Sequence, residues 1–411
     1  MQRMIERCAG LDVHRDTWPP ACGCDGGRHE QVRTFGTTTR QLVALRDWLT
    51  ACGVTLVGME STGIYWKAVY YLLEDHVECW LLNAAHLHHV PGRKTDIADA
   101  TWICELVEHG LVRPSFVPPR PIRRLRDLTR YRKAVIEERA RETQRLHKVL
   151  EDAGIKLASV ASKTLTVSGR AMLDALVAGQ RDPVALAELA RGRMRAKIPA
   201  LRDALEGRFG DHHALLIAQL LARIDHADET IAALSTQVAH VAAPWADQLA
   251  LLVTIPAVSQ RTAEVILAEV GPDMGRFPSS AHLASWAGMC PGNNESAGKH
   301  HSGKTRKGSR WLRTALVEAA HSRRAQQAHL PVAQYARNRG RRGPRKAAVA
   351  VGHSILVIAY HLLDRNQPYA DLGGDYFTQR QSTEAYKRRL IRQLQHLGHR
   401  VTLEPLPDTA A

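Results

Sequence analysis

Apolar positions recur along this chain with two different periods, and the change of period divides it. The run Cys8-Ala9-Gly10-Leu11-Asp12-Val13 reads as a short buried strand holding one carboxylate among apolar neighbours. A second strand near 20–24, a Gly26-Gly27 turn and a third strand over 31–35 complete an antiparallel meander. Leu42, Leu45, Trp48 and Leu49 then fall at helical spacing over 39–52. Val54 to Met59 predicts a buried strand that ends at Glu60-Ser61-Thr62-Gly63, followed by a helix over 64–73 and a strand over 77–82. A further helix opens near Asp96, capped by Thr95 or Asp96, and carries apolar residues at helical spacing through Val107. Three strands followed by helix–strand–helix–strand–helix make an α/β domain over residues 1–117.

The period stays helical beyond the proline-rich stretch 114–121, which is the first boundary. Leu125, Leu128, Tyr131, Val135, Leu146 and Leu150 place one long helix over 122–152. Shorter helical pieces over 155–210 are punctuated by Gly169, Pro183 and Pro199, and a second long helix runs over 211–242. Two long helices around a smaller helical unit suggest an antiparallel coiled-coil arm over 118–243, a common seat of self-association. Pro244 opens a mainly helical third region, 244–365. Its segment 251–271 reads helix, Ile255-Pro256 turn, helix, like a helix–hairpin–helix with Ala257 and Ser259 where glycines would be expected. That departure leaves phosphate gripping and plain packing both open for the segment. Arg337 to Lys346, with Gly340 and Gly343, reads as a loop, 347–363 as an apolar helix, and Lys387 starts a basic helix within a tail over 366–411.

Composition changes this picture in one respect. The 411 residues are 45% hydrophobic, enough for a sizeable core, and no apolar run is expected to approach the roughly 18 residues needed to cross a bilayer. The first residues lack the apolar stretch of a signal peptide, so the expectation is an intracellular protein with no membrane partner. Seven cysteines without metal-site spacing read as reduced thiols. The charge is the exception: 56 Lys+Arg against 41 Asp+Glu give a net +15, which favours a polyanionic partner. Residues 120–148 hold 11 Lys/Arg against 4 acids, a nucleic-acid contact or a solvated helix face. Residues 296–346 hold 14 Lys/Arg and a single acid, Glu318. That second cluster, interleaved with glycines, looks built to lie on phosphates through Lys299, Lys304, Arg306, Lys307, Arg310 and Arg313.

Four acids carry the candidate chemistry. Asp12 lies in the first strand and Glu60 at the carboxyl end of a later one, where α/β sheets place their ligands. Asp96 and Asp99 are three residues apart and share a helix face. Four convergent carboxylates would repel one another, and their natural partner is a hard divalent cation, Mg²⁺ or Mn²⁺. A pair of such ions can clamp the attacking and leaving oxygens of a phosphodiester. Spacing alone leaves open that these are four unrelated acids.

Gly10-Leu11-Asp12-Val13-His14, Met59-Glu60-Ser61-Thr62-Gly63 and Lys94-Thr95-Asp96-Ile97-Ala98-Asp99-Ala100 together resemble the N-terminal motifs of the DEDD insertion-sequence transposases. The stretches 283–299 and 302–313 resemble the C-terminal domain of the same family. The resemblance implies a RuvC-like, RNase H-type fold for 1–117, with Asp12, Glu60, Asp96 and Asp99 as a metal-binding tetrad. It also implies a serine nucleophile on DNA, for which Ser296 fits best and Ser302 is the second candidate. A structured guide RNA pairing with donor and target DNA, a homo-oligomer (dimer or tetramer) and a bacterial cytoplasmic location follow from the same likeness. Two other readings stand beside the transposase: a metal-dependent hydrolytic nuclease of the Holliday-junction resolvase type, with Ser296 incidental, and a non-catalytic nucleic-acid-binding protein whose acids are structural caps.

Overall fold

A mixed five-stranded sheet organises the first of two units, Met1–Val117; the second unit is Pro118–Ala411. The computed structural model describes residues 4–13, 17–25, 29–60, 63–83, 96–292, 294–296, 298–322, 329–374, 376 and 383–404. The expected Gly26-Gly27 turn, Ser61-Thr62 and the cap residue Thr95 lie outside the described residues.

In the first unit β1 (Cys8–Leu11), β2 (Thr17–Asp25) and β3 (His29–Gly36) form the antiparallel meander. Helix α1 (Thr39–Ala51) leads to β4 (Leu56–Glu60), α2 (Trp66–Leu73), β5 (Glu78–Leu82) and α3 (Asp96–Glu108). The strand order is β3-β2-β1-β4-β5, with β1, β4 and β5 parallel to one another. Period-2 alternation sorts the central strands into two faces. Ala9, Leu11, Val57, Met59 and Leu81 pack with Leu42, Leu45 and Leu49 of α1 and Val69 and Leu73 of α2. Cys8, Leu56 and Leu82 point the other way, onto Ile103, Cys104, Leu106 and Val107 of α3. Helix α3 is apolar along most of its length because it covers that whole face.

Among the described residues the second unit's regular structure is helical apart from one hairpin. Helix α4 (Arg120–Asp152) begins with Pro121 in its first turn, where the missing N–H costs nothing. Four short helices follow, α5 (Leu157–Val160), α6 (Val167–Val177), α7 (Pro183–Glu188) and α8 (Ile198–Leu205), and then α9 (Asp211–Ala242). Val135 packs against Ala227 and Ile231, Arg139 pairs with Asp228, and Asp152 meets His213, so α4 and α9 run antiparallel. Their far ends close with the four short helices over a core that includes Leu146, Leu150, Met172, Leu186, Leu201 and Ile217.

Beyond the arm come α10 (Ala246–Val253), α11 (Gln260–Val270), α12 (Ser280–Trp286), the hairpin β6 (Asn294–Ser296) and β7 (Lys299–Ser302), α13 (Arg310–His321), α14 (Leu330–Arg342), α15 (Pro344–Arg365) and α16 (Thr383–His396). Two expectations need correction here. The basic run 337–346 is helix on both sides of Gly343, which alone breaks it, at φ +77°. And α15 is long and apolar enough to cross a bilayer, but half of its apolar window is buried inside this unit, against α13 and α14 among others.

Candidate active site and nucleic-acid interface

The first unit places Asp12 and Glu60 at one end of one sheet face. In the parallel pair of β1 and β4, Leu11 stands opposite Met59, so Asp12 and Glu60 leave adjacent strands at neighbouring positions. Asp12 lies one residue past the strand rather than inside it, and it is buried at 4% exposure. Carrying the alternation forward, Asp12 follows Cys8 and Gly10, and Glu60 follows Leu56 and Gly58. Both acids therefore belong to the face that α3 covers.

Two glycines let α3 lie directly on that face. A Cβ on Gly10 would fall 2.1 Å from the Ala100 carbonyl oxygen and 2.5 Å from the Cys104 nitrogen. A Cβ on Gly58 would fall 2.6 Å from Val107 Cγ2. The helix thus touches β1 at Ala100, one residue after the half-buried Asp99. Asp96 is the first residue of α3, and its side chain lies outside the described residues. The donor set offered here is carboxylate only, which fits a hard divalent cation and not a soft one.

Among the described residues, the group of three metal-ligating side chains that meets within 4.8 Å is Asp152, His212 and His213, at the far end of the second unit's two long helices; Asp12, Glu60 and Asp99 do not come that close together. The sequence reading did not single out the Asp152 group. His213 is buried, and its Nδ1 accepts the Gly210 backbone N–H at 3.1 Å. That bond fixes the proton on Nε2, which donates to Asp152 Oδ2 at 3.1 Å. With both ring nitrogens engaged, His213 caps α9 and ties it to α4, a structural task.

In the second unit the basic stretch is a hairpin with a long return. Ser296 pairs with Lys299 across the tip, where Gly298 takes φ +74°, and Asn294 pairs with Ser302. Both candidate serines therefore ride on one two-stranded hairpin; their side chains lie outside the described residues. Lys299, Lys304, Arg306, Lys307 and Arg310 are exposed and Arg313 is half-buried. The glycines here do two jobs. A Cβ on Gly308 would lie 2.3 Å from the Ala287 carbonyl carbon, and one on Gly288 2.7 Å from the Arg306 carbonyl oxygen, so these two seal the return segment backbone-to-backbone onto the end of α12. Cβ atoms on Gly298 and Gly303 would meet no described atom within 4 Å. Cys290 sits just before the hairpin, and burial pushes its thiol above the ordinary range, which keeps it protonated and a poor rival nucleophile.

A buried carboxylate anchors the far end of this segment. Glu269 of α11 is 1% exposed and accepts Arg130 through both its oxygens, at 2.7 and 2.9 Å. It also accepts the Ser309 hydroxyl at 2.9 Å, while Ser309 caps α13 and Arg126 donates to the Ala268 carbonyl at 3.0 Å. Nearby, Arg132 pairs with Glu264 at 2.6 Å, both buried. The basic base of α4 is thus largely committed to holding α11, not to solvent. The sequence carried a signal for this: Glu269 sits in the run Val265-Ile266-Leu267-Ala268-Glu269-Val270, a carboxylate among apolar neighbours like Asp12. In the turn before α11, Ala257 takes φ +73°, the conformation a glycine would supply, and Ser259 caps the helix through the Thr262 N–H.

Two family models match parts of the chain. Residues 9–155 match the model of the DEDD transposase domain of IS110 elements, described as a transposase. Residues 249–335 match the model of the IS116/IS110/IS902 transposase family. A stretch of 71 residues is 41% identical to the insertion element IS110 uncharacterized 43.6 kDa protein of Streptomyces coelicolor, covering 17% of each chain.

Proposed function

From its membership of the IS110 family of transposases, we propose that this chain mobilises an insertion sequence by cutting and rejoining DNA strands. The observation that carries the reading is the shared sheet face: Asp12 and Glu60 end adjacent parallel strands beneath α3, whose first turn carries Asp96 and Asp99. These four residues would hold Mg²⁺ or Mn²⁺ in a RuvC-like domain over 1–117. A bound ion there supplies charge neutralisation of the scissile phosphate and activation of an attacking oxygen.

Ser296 is the proposed nucleophile. Its hydroxyl oxygen bonds to the phosphorus, its proton departs, and the sugar oxygen on the other side leaves with the electron pair of the broken P–O bond and takes up a proton. One DNA end stays esterified to Ser296 until a second sugar hydroxyl reverses the step. The exposed Lys299, Lys304, Arg306, Lys307 and Arg310 around the hairpin, with the half-buried Arg313, would hold the flanking phosphates and offset charge on the pentacovalent phosphorus. A structured guide RNA bound over the same basic surfaces, and a dimer or tetramer, belong to the same proposal, as do an arm over 118–243, a serine-bearing domain over 244–365 and a tail over 366–411.

The test is a covalent adduct. Full-length protein, Mg²⁺, the RNA transcribed beside the gene and DNA carrying the element junction are mixed and run on a denaturing gel. A DNA-bound band that protease removes, and that Ser296→Ala lacks, is the expected result. Cleaved DNA without an adduct would overturn the serine step in favour of a hydrolytic nuclease, and an adduct persisting in Ser296→Ala but lost in Ser302→Ala would move the role to Ser302.

A further inference from the structure

Between α4, α11 and α13 the second unit has a half-open pocket of about 350 Å³ that neither the acid site nor the hairpin uses. Ile136, Val265 and Trp311 give it apolar and aromatic walls, and Lys133, Arg261 and Thr262 give it a polar side. Its volume is at the low end of the roughly 300–1,000 Å³ typical of small-ligand sites, room for one nucleotide and not for a duplex.

The charges around it are unevenly committed. Glu269 is saturated by Arg130 and Ser309, so it presents little free negative charge to the interior. Lys133 reaches Glu318 at 2.6 Å, but Glu318 is 60% exposed, and a solvated pair of that kind is easily exchanged for another anion. Arg261 makes no ion pair with any described residue. Arg310 lies 4.4 Å over one face of the Trp311 ring, and an aromatic ring with a guanidinium beside it is the platform on which unpaired bases stack. Trp311 also follows directly on the basic segment that carries Lys304, Arg306 and Lys307.

We propose that this pocket takes one unpaired nucleotide of the bound nucleic acid, its base against Trp311 and its phosphate on Lys133 and Arg261. The inference rests on the reading of the chain as a nucleic-acid enzyme. It adds a preference for strands that are locally unpaired, which strand cutting and guide pairing both produce. DNA and RNA offer the same group, and the experiment separates them.

Full-length protein is titrated with a fluorescent perfect duplex and with the same duplex carrying a single-nucleotide bulge, once in DNA and once in RNA. The bulged nucleotide is 5-iodouracil, so that light cross-links it to the residue it contacts. The expected result is tighter binding of the bulged form, a cross-link at Trp311, and a loss of the bulge preference by about 5- to 100-fold in Trp311→Ala with duplex affinity unchanged. Trp311→Phe keeps most of the preference, and Arg261→Gln weakens bulge binding and lowers its salt slope by about one. Those two variants decide the matter if Trp311→Ala fails to fold. Equal binding of bulged and perfect duplex, a preference intact in Trp311→Ala, or a cross-link confined to the hairpin would overturn the proposal. Each of these leaves adduct formation untouched, whereas loss of all nucleic-acid binding by the wild type would overturn the function itself. A preference seen only in the DNA arm or only in the RNA arm identifies the strand.

Discussion

Asp12 and Glu60 stand at the ends of strands whose backbone touches a helix, whereas Ser296 rides on a two-stranded hairpin whose tip glycine meets no described atom. In the first region position comes from packing. Parallel register sets the two acids side by side, and Gly10 and Gly58 set the distance of the helix that brings Asp99. In the second region position comes from the two ends of a loop: Gly288 against Gly308, and Ser309 on buried Glu269. Under the proposed function, packing would fix the metal ligands closely, while the nucleophile would be placed by the two anchored ends of its segment.

The comparison breaks first at the acids. Asp99→Asn should leave folding intact and lower metal-dependent strand cleavage by about a thousand-fold or more, the several kcal/mol that a bound cation supplies; a variant that loses stability and keeps cleavage would make Asp99 a helix cap. Next comes the anchor. Glu269→Ala leaves Arg130, about a third exposed, without its partner and the Ser309 hydroxyl without its acceptor, and should cost about 1–3 kcal/mol in urea unfolding. Gly10→Ala should cost about 2–3 kcal/mol because backbone, not a yielding side chain, lies in the way, whereas Gly303→Ala should change the midpoint by less than about 0.5 kcal/mol. Equal losses at both glycines would erase the distinction drawn between the regions. The smallest effect has the opposite sign: Ala257→Gly should raise stability by about 0.5–1 kcal/mol, relief of the left-handed backbone less the added chain entropy.

The helices were legible because their apolar residues repeat over many turns. The second long helix was expected over 211–242 and spans Asp211–Ala242. The succession of strands and helices along the first unit was legible too, since each central strand is a short apolar run. The helix that lies over Asp12 and Glu60 was not, because alternation assigns these acids to a face without saying which helix covers it. Gly10 and Gly58 held that information, and it becomes readable only when Ala100 and Val107 are seen against them. The hairpin escaped notice because strands of three and four polar residues show no period. The run 337–346 misled in the other direction. Gly340 sits inside a helix with open space where its Cβ would be, so its presence signalled nothing about the backbone.

The two buried glycines bear on how copies of a mobile element decay. A base change in either of the leading positions of a glycine codon replaces the residue; at 10 a side chain would collide with the backbone of α3, and at 58 with the Val107 side chain that packs there. Such a copy would retain all four acids and its serine, and a search for those motifs would score it as intact while the proposed metal site had lost its geometry. The genetic target for silencing this protein is therefore wider than its chemistry.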